Sequence, residues 1–198
     1  MVIAAIVSLI LGVVCGQWLF SPDLVSLFGP ISEYTLYILM FAVGISVGAN
    51  KQVFRRLRQY HVKILIIPAG IVVGTVLAGF LCYLIVDMPL RDCLAVVCGL
   101  GWYSLSGVLL TNLAGATLGT MAFFSNLLRE ILSFLTIPFI AKHLNHYTAI
   151  APAAATSEDT TLPLLMRCTS EDVAVMAVVN GVVCSALVPV ILNLLYRV

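Results

Sequence analysis

The sequence predicts an all-α integral membrane protein with about five full transmembrane helices and two re-entrant or broken helices entering from opposite faces. Three observations carry that reading. Of the 198 residues, 62% are hydrophobic and only 10% are charged, against about 25% charged in a soluble domain, so charged groups are too few to coat a globule. Apolar runs of about 20 residues, the length that crosses a hydrocarbon core, recur along a chain whose mean hydropathy is +1.12. Two of these runs are interrupted near their centres by glycines, hydroxyls or acids.

The first span, Val2 to Phe20, has no basic stretch before it and no small-x-small cleavage pattern after it, so it reads as a retained helix ending at an interfacial Trp18 rather than a secretory signal. The second runs from Glu33 to Ala49, opened by Ser32-Glu33 after Pro30. A basic loop follows, Lys51 to Lys63 with Arg55, Arg56 and Arg58, and the positive-inside rule places it in the cytoplasm. Residues 21–32 then lie outside, and they contain no Lys or Arg. The third span, Ile64 to Val86, returns outward to a short turn, Asp87 to Asp92.

The next segment, Cys93 to Leu113, is interrupted at Gly99-Leu-Gly-Trp-Tyr-Ser-Leu-Ser-Gly107. Each interior glycine costs a helix about 1 kcal/mol, and broken backbone survives in a bilayer only where protein buries it or water reaches it. The segment therefore reads as a re-entrant hairpin from outside or a broken helix. The fifth span, Leu118 to Ile140, carries Arg129 and Glu130, and the loop Lys142 to Tyr147 follows it. A second interrupted segment, Ala149 to Met166, centres on Ala155-Thr-Ser-Glu-Asp-Thr-Thr161, and the last span runs from Val173 to Leu195. If both interrupted segments cross fully, there are seven spans and Lys142 lies outside. If both turn back, Lys142 and Arg167 join the cytoplasmic charge and the two breaks meet near the midplane, as in transporters built on broken helices. The charge rule favours the second arrangement. Both put the amino terminus inside and the carboxyl terminus outside, in a single transmembrane transporter domain, 1–198.

Several function classes are excluded. A net charge of +1 argues against nucleic acid as a partner. The six cysteines show neither a CxxC pair nor zinc-type spacing, so no metal or cofactor is expected. A serine hydrolase needs a base within reach of its nucleophile. Here His143 and His146 fall on the face opposite that of Ser104 and Ser106, so the chain is not read as an enzyme.

Three clusters remain as candidate sites. Glu130 is the most informative, because a carboxylate inside a span costs several kcal/mol unless paired, hydrated or protonated. On a helix Asn126, Arg129, Glu130 and Ser133 share a stripe, with Leu127, Leu128, Ile131 and Leu135 expected to face lipid. The second cluster is Thr156, Ser157, Glu158 and Asp159 with the two threonines that follow, either a coordinating re-entrant tip or a solvated loop. The third is the tip Trp102, Tyr103, Ser104 and Ser106, where free carbonyls and hydroxyls can hold a cation, unless the aromatics are interfacial anchors.

The strings Glu33-Tyr-Thr-Leu-Tyr-Ile-Leu-Met-Phe-Ala-Val-Gly-Ile45, Gly99-Leu-Gly-Trp-Tyr-Ser-Leu-Ser-Gly-Val-Leu-Leu-Thr111, Ala122-Phe-Phe-Ser-Asn-Leu-Leu-Arg-Glu130 and Ala155-Thr-Ser-Glu-Asp-Thr-Thr-Leu-Pro163 resemble the bacterial lysine exporter (LysO-type) family, in order and spacing, over its C-terminal two-thirds. The resemblance implies export of L-lysine, and of lysine analogues, across the bacterial inner membrane, with Glu130 as the intramembrane acid. Because export moves a positive charge out of a cell that is negative inside, exchange for an incoming proton is expected, with Na+ as the open alternative. Longer members carry about three further amino-terminal spans. Their lack here raises the expectation of a homodimer, or of a separately encoded small membrane subunit.

Overall fold

The structure is a computed structural model. It describes residues 2–21 and 65–197 continuously, with only scattered positions from 24 to 49 between them. The basic loop, 51–63, lies outside the described residues, and so does most of the expected second span. Helices make up most of the described residues, joined by turns, bends and a few irregular positions, with no strand among them. Two compact units form, Met1–Val43 and Gly44–Val198.

In the first unit, helix α1 (Val2–Val14) continues into a wider π-helical turn, Cys15–Leu19. It stops at Phe20, whose backbone is extended and whose N–H donates to the Cys15 carbonyl at 2.8 Å. Trp18 is 74% exposed at this end, where an interfacial anchor is expected.

The second unit opens with α2 (Ile66–Ile85). Pro89 then precedes α3 (Leu90–Val97), a position where proline's missing N–H costs nothing. Helix α3 ends after eight residues, because Leu100 and Gly101 take positive φ values of 50° and 90°. Glycine adopts that region freely, and leucine does so at a cost. Helix α4 (Tyr103–Ala114) follows, and the turn at Gly115 leads into the 28-residue α5 (Ala116–His143). Helices α4 and α5 cross closely: a Cβ on Gly119 would lie 2.6 Å from the Gly107 carbonyl oxygen.

Beyond α5 the chain passes through two 3-10 turns, Thr148–Ile150 and Ala154–Glu158, into the short α6 (Leu162–Cys168) and then α7 (Glu171–Arg197). Ile137 of α5 packs in one buried cluster with Ala149, Ile150, Ala153, Leu165, Val173 and Ala177. At the other end of α7, the Tyr196 hydroxyl donates to Asp92 of α3 at 2.7 Å, and Arg91 stacks over the Tyr196 ring. Among the described residues, α2, α5 and the stretch Glu171–Tyr196 are long and apolar enough to cross a membrane.

The first interruption is shorter than the glycine pattern suggests. Ser104, Ser106 and Gly107 are helical, and Gly107 serves the close crossing with α5 instead, where a Cβ would sit 3.1 Å from that of Phe123. Leu127, expected to face lipid, is buried at 4% exposure, whereas Leu128, Ile131 and Leu135 are exposed. Packing by α5 on two sides extends its buried face beyond a single stripe.

Candidate functional site

The two interruptions touch. The carbonyl of Leu100, in the first, accepts the N–H of Ala155, in the second, at 3.0 Å. Leu100 and Ala154 are the two described non-glycine residues with positive φ, so left-handed backbone stands at the contact on both sides. Such conformations persist where the surrounding structure over-determines them, and they concentrate at functional sites.

Helix α5 supplies the side chains that serve this junction. Asn126, 1% exposed, uses both ends of its amide: Oδ1 accepts the Gly101 N–H at 2.8 Å, and Nδ2 donates to the carbonyls of Val96 and Ala122 at 2.9 Å each. Broken backbone inside apolar surroundings must find such partners, and Asn126 provides them. Gly99 makes room, since a Cβ there would collide with the Asn126 amide. Arg129, half-buried, reaches the second interruption with Nε on the Pro152 carbonyl at 3.3 Å, and α2 with Nη1 on the Thr75 hydroxyl at 3.2 Å.

Glu130 differs from both neighbours. It is 1% exposed, and among the described residues neither carboxylate oxygen has a partner in hydrogen-bonding geometry. The Thr160 hydroxyl is the nearest polar group to it, short of good hydrogen-bonding geometry, and Tyr103 and Asp159 are within Coulombic range; among the described residues the Thr160 hydroxyl has no other partner. Ser133, the last member of the stripe, is buried and donates to the backbone carbonyl of Glu130 at 2.6 Å. A buried polar group without a partner costs free energy, so Glu130 is held at the junction against its local interest.

The second interruption is braced mainly by α7. Ser157 Oγ lies 2.7 Å from the carbonyls of both Ala154 and Ala177. Asn180 donates to the Ala154 carbonyl and to Ser157 Oγ at 3.0 Å each. Glu158 turns toward α7 and accepts from Ser185 at 2.8 Å, and a Cβ on Gly181 would lie 2.5 Å from the Glu158 backbone nitrogen. Thr156 is buried, with its hydroxyl on the Ala153 carbonyl at 3.0 Å and its own carbonyl accepting from Thr161 at 2.9 Å. Asp159 is exposed and accepts the N–H of Thr160.

In the first tip, Trp102 is half-buried and its carbonyl accepts the Ser106 N–H at 3.0 Å, beginning α4. Tyr103 is buried edge-on against Phe123, Ser106 is buried and bonds the Tyr103 carbonyl at 3.4 Å, and Ser104 is exposed. The residues brought together are thus Asn126, Arg129 and Glu130 with the two breaks, whereas Ser104 and Glu158 point elsewhere. Thr75, Asn180 and Ser185 take part although the motif reading passed over them. The signal available for them was a polar residue within an apolar span.

A family model described as lysine exporter LysO matches residues 6–196. The lysine exporter LysO of Escherichia coli (strain K12) is 37% identical over 161 residues, covering 81% of this chain and 53% of that protein. A putative lysine exporter of Haemophilus influenzae is 35% identical over 193 residues, covering 96% of this chain and 93% of that protein. The chain therefore spans about half the length of the Escherichia coli relative. No solved structure matches. By this match along nearly its whole length, the chain belongs to the lysine exporter LysO family, a family of membrane transporters and not of enzymes.

Proposed function

We propose that this protein exports L-lysine, and lysine analogues, across the bacterial cytoplasmic membrane in exchange for protons, with Glu130 as the exchanging group. The observation that carries the reading is the buried Glu130 carboxyl, both of whose oxygens lack a partner in hydrogen-bonding geometry among the described residues, in the middle of a membrane-length helix. The family's name supports the substrate.

Energetics favour exchange over a pore. Moving one positive charge out of a cell that is negative inside costs about 2.3 kcal/mol per 100 mV. An incoming proton cancels that electrical term. In this scheme Glu130 holds a proton in one state and the substrate cation in the other. The Thr160 hydroxyl and Asp159 help to receive the cation, and Asn126 keeps the broken backbone of the first tip in place. Na+ as the coupling ion is the alternative, to be separated by imposing each gradient alone.

In the same scheme both interrupted segments turn back near the midplane, leaving five full spans, with the amino terminus inside and the carboxyl terminus outside. Two facts support that topology. Helix α3 begins beside the last turn of α7, and α4 leads at Gly115 into the first turn of α5, whereas Ala149, Ile150 and Leu165 gather around Ile137 near the far end of α5. A cysteine at Lys142 labelled only from the cytoplasmic side is the expected result. The working unit in this reading is a homodimer, or a complex with a separate small membrane subunit, which co-purification from native membranes tests.

The central test is Glu130→Gln in proteoliposomes. Lysine flux driven by a pH gradient is expected to vanish, and flux at the wild-type rate would remove the reading.

A further inference from the structure

Among the described residues nothing neutralises the guanidinium of Arg129. Among the described residues no carboxylate lies within ion-pairing distance of it. Two of its five N–H donors are used, by the Pro152 carbonyl and the Thr75 hydroxyl, which leaves Nη2 and one N–H of Nη1 without a protein acceptor among those residues. Arginine inside a membrane protein ordinarily pairs with an acid or faces water. Glu130, its neighbour in sequence, is not that acid, because adjacent residues on a helix point in different directions.

Three clefts converge on this one side chain. They have volumes of about 390, 280 and 260 Å³, and Arg129 lines all of them. The largest runs between α2 and the turn at Tyr147 and Thr148, and the second between α2 and Asn126. The third lies between α5 and Pro152. Each is near or within the range of about 300–1,000 Å³ common for small-molecule sites. Neither Glu130 nor Asp159 is among the residues lining them.

A half-buried planar fork with unused donors, opening into a cleft, is suited to a carboxylate, which it can grip through two parallel hydrogen bonds. We infer that Arg129 is the group of the transport site that binds the substrate's carboxylate. Its contacts with Thr75 and Pro152 hold the fork in register with α2 and the second break. Glu130, on a separate side of α5, is left for the proton and the ammonium. The inference rests on the export reading for the identity of its substrate. It does not depend on that reading for the carboxylate itself.

The test is competition for L-lysine uptake by the full chain in proteoliposomes, with cadaverine (lysine without its carboxylate) and norleucine (the carboxylate without the side-chain ammonium) as competitors. Cadaverine is expected to compete about tenfold or more weakly than unlabelled lysine. Arg129→Gln is expected to abolish that difference, and Arg129→Lys to keep only part of it. Cadaverine competing as well as lysine in the wild-type protein would overturn the inference while leaving lysine export intact, and it needs no variant to be folded. A wild-type protein that ignores lysine but takes up norleucine, and loses it on Arg129→Gln, would keep the carboxylate assignment and remove the lysine reading. Full discrimination by Arg129→Gln would overturn the inference.

Discussion

The carbonyl oxygen of Leu100 accepts the backbone N–H of Ala155 at 3.0 Å, joining two interrupted segments that lie far apart in the sequence. Both sides of this bond carry left-handed backbone at a residue with a Cβ, Leu100 at φ 50° and Ala154 at φ 49°. Strain and satisfaction are thus coupled: the unusual φ values aim one free carbonyl at one free N–H.

That coupling sets the effect of substitutions at Ala154. Left-handed backbone costs an L-residue about 1–2 kcal/mol, from which glycine is exempt, and the buried methyl of Ala154 is small. Ala154→Gly is expected to raise the thermal midpoint of the detergent-purified protein, and Ala154→Val to lower it. A drop for the glycine variant would mean that the methyl's packing outweighs the backbone term.

Asn126 should behave as a clamp. An aspartate there keeps the shape and the acceptor for Gly101 but loses the donors to Val96 and Ala122. The Ala122 carbonyl keeps its helical N–H, but leaving the Val96 carbonyl unpaired costs about 1–3 kcal/mol. Asn126→Asp is therefore expected to melt several degrees lower than the wild type, with substrate selectivity unchanged in what remains active. An unaltered melting curve would argue that the amide is dispensable to the break.

Glu130 should show the opposite pattern. Its carboxylate oxygens have no hydrogen-bond partner among the described residues to lose, and an amide is cheaper to bury than a charge. Glu130→Gln is expected to keep or raise the melting temperature while flux disappears. A clear loss of stability would instead mark Glu130 as a structural residue.

Gly181 admits no side chain. An added Cβ would sit 2.5 Å from both the backbone nitrogen and the Cβ of Glu158, atoms that cannot swing aside. Overpacking of this kind costs about 1–3 kcal/mol. Gly181→Ala should loosen the second break from α7, read as faster proteolysis near residues 154–158. Ser185→Ala, which removes one hydrogen bond to Glu158, should do so more mildly.

Tyr196→Phe deletes the hydroxyl that joins the last turn of α7 to Asp92. A hydrogen bond to a charged group is worth about 1.5–3 kcal/mol. Faster hydrogen exchange confined to α3 and the end of α7 is the expected result, and unchanged protection there would show the contact to be incidental.

The sequence by itself determined the membrane class, the order of elements, the two interruptions and the polar stripe of α5. Those features follow from hydropathy, from the helix-breaking cost of glycine, and from a periodicity that puts Asn126, Glu130 and Ser133 on one buried face. It overestimated the first break, because glycine serves close helix crossing as readily as it serves a turn, and at Gly107 it does the former. Only the tertiary structure decided that the breaks bond to each other, that Asn126 is saturated while Glu130 one turn on has no hydrogen-bond partner among the described residues, and that Glu158 faces Ser185 on α7. The physical reason is that these outcomes depend on single hydrogen bonds between distant segments. A backbone N–H or carbonyl is the same at nearly every residue, so nothing in the side-chain pattern records which pairs will meet.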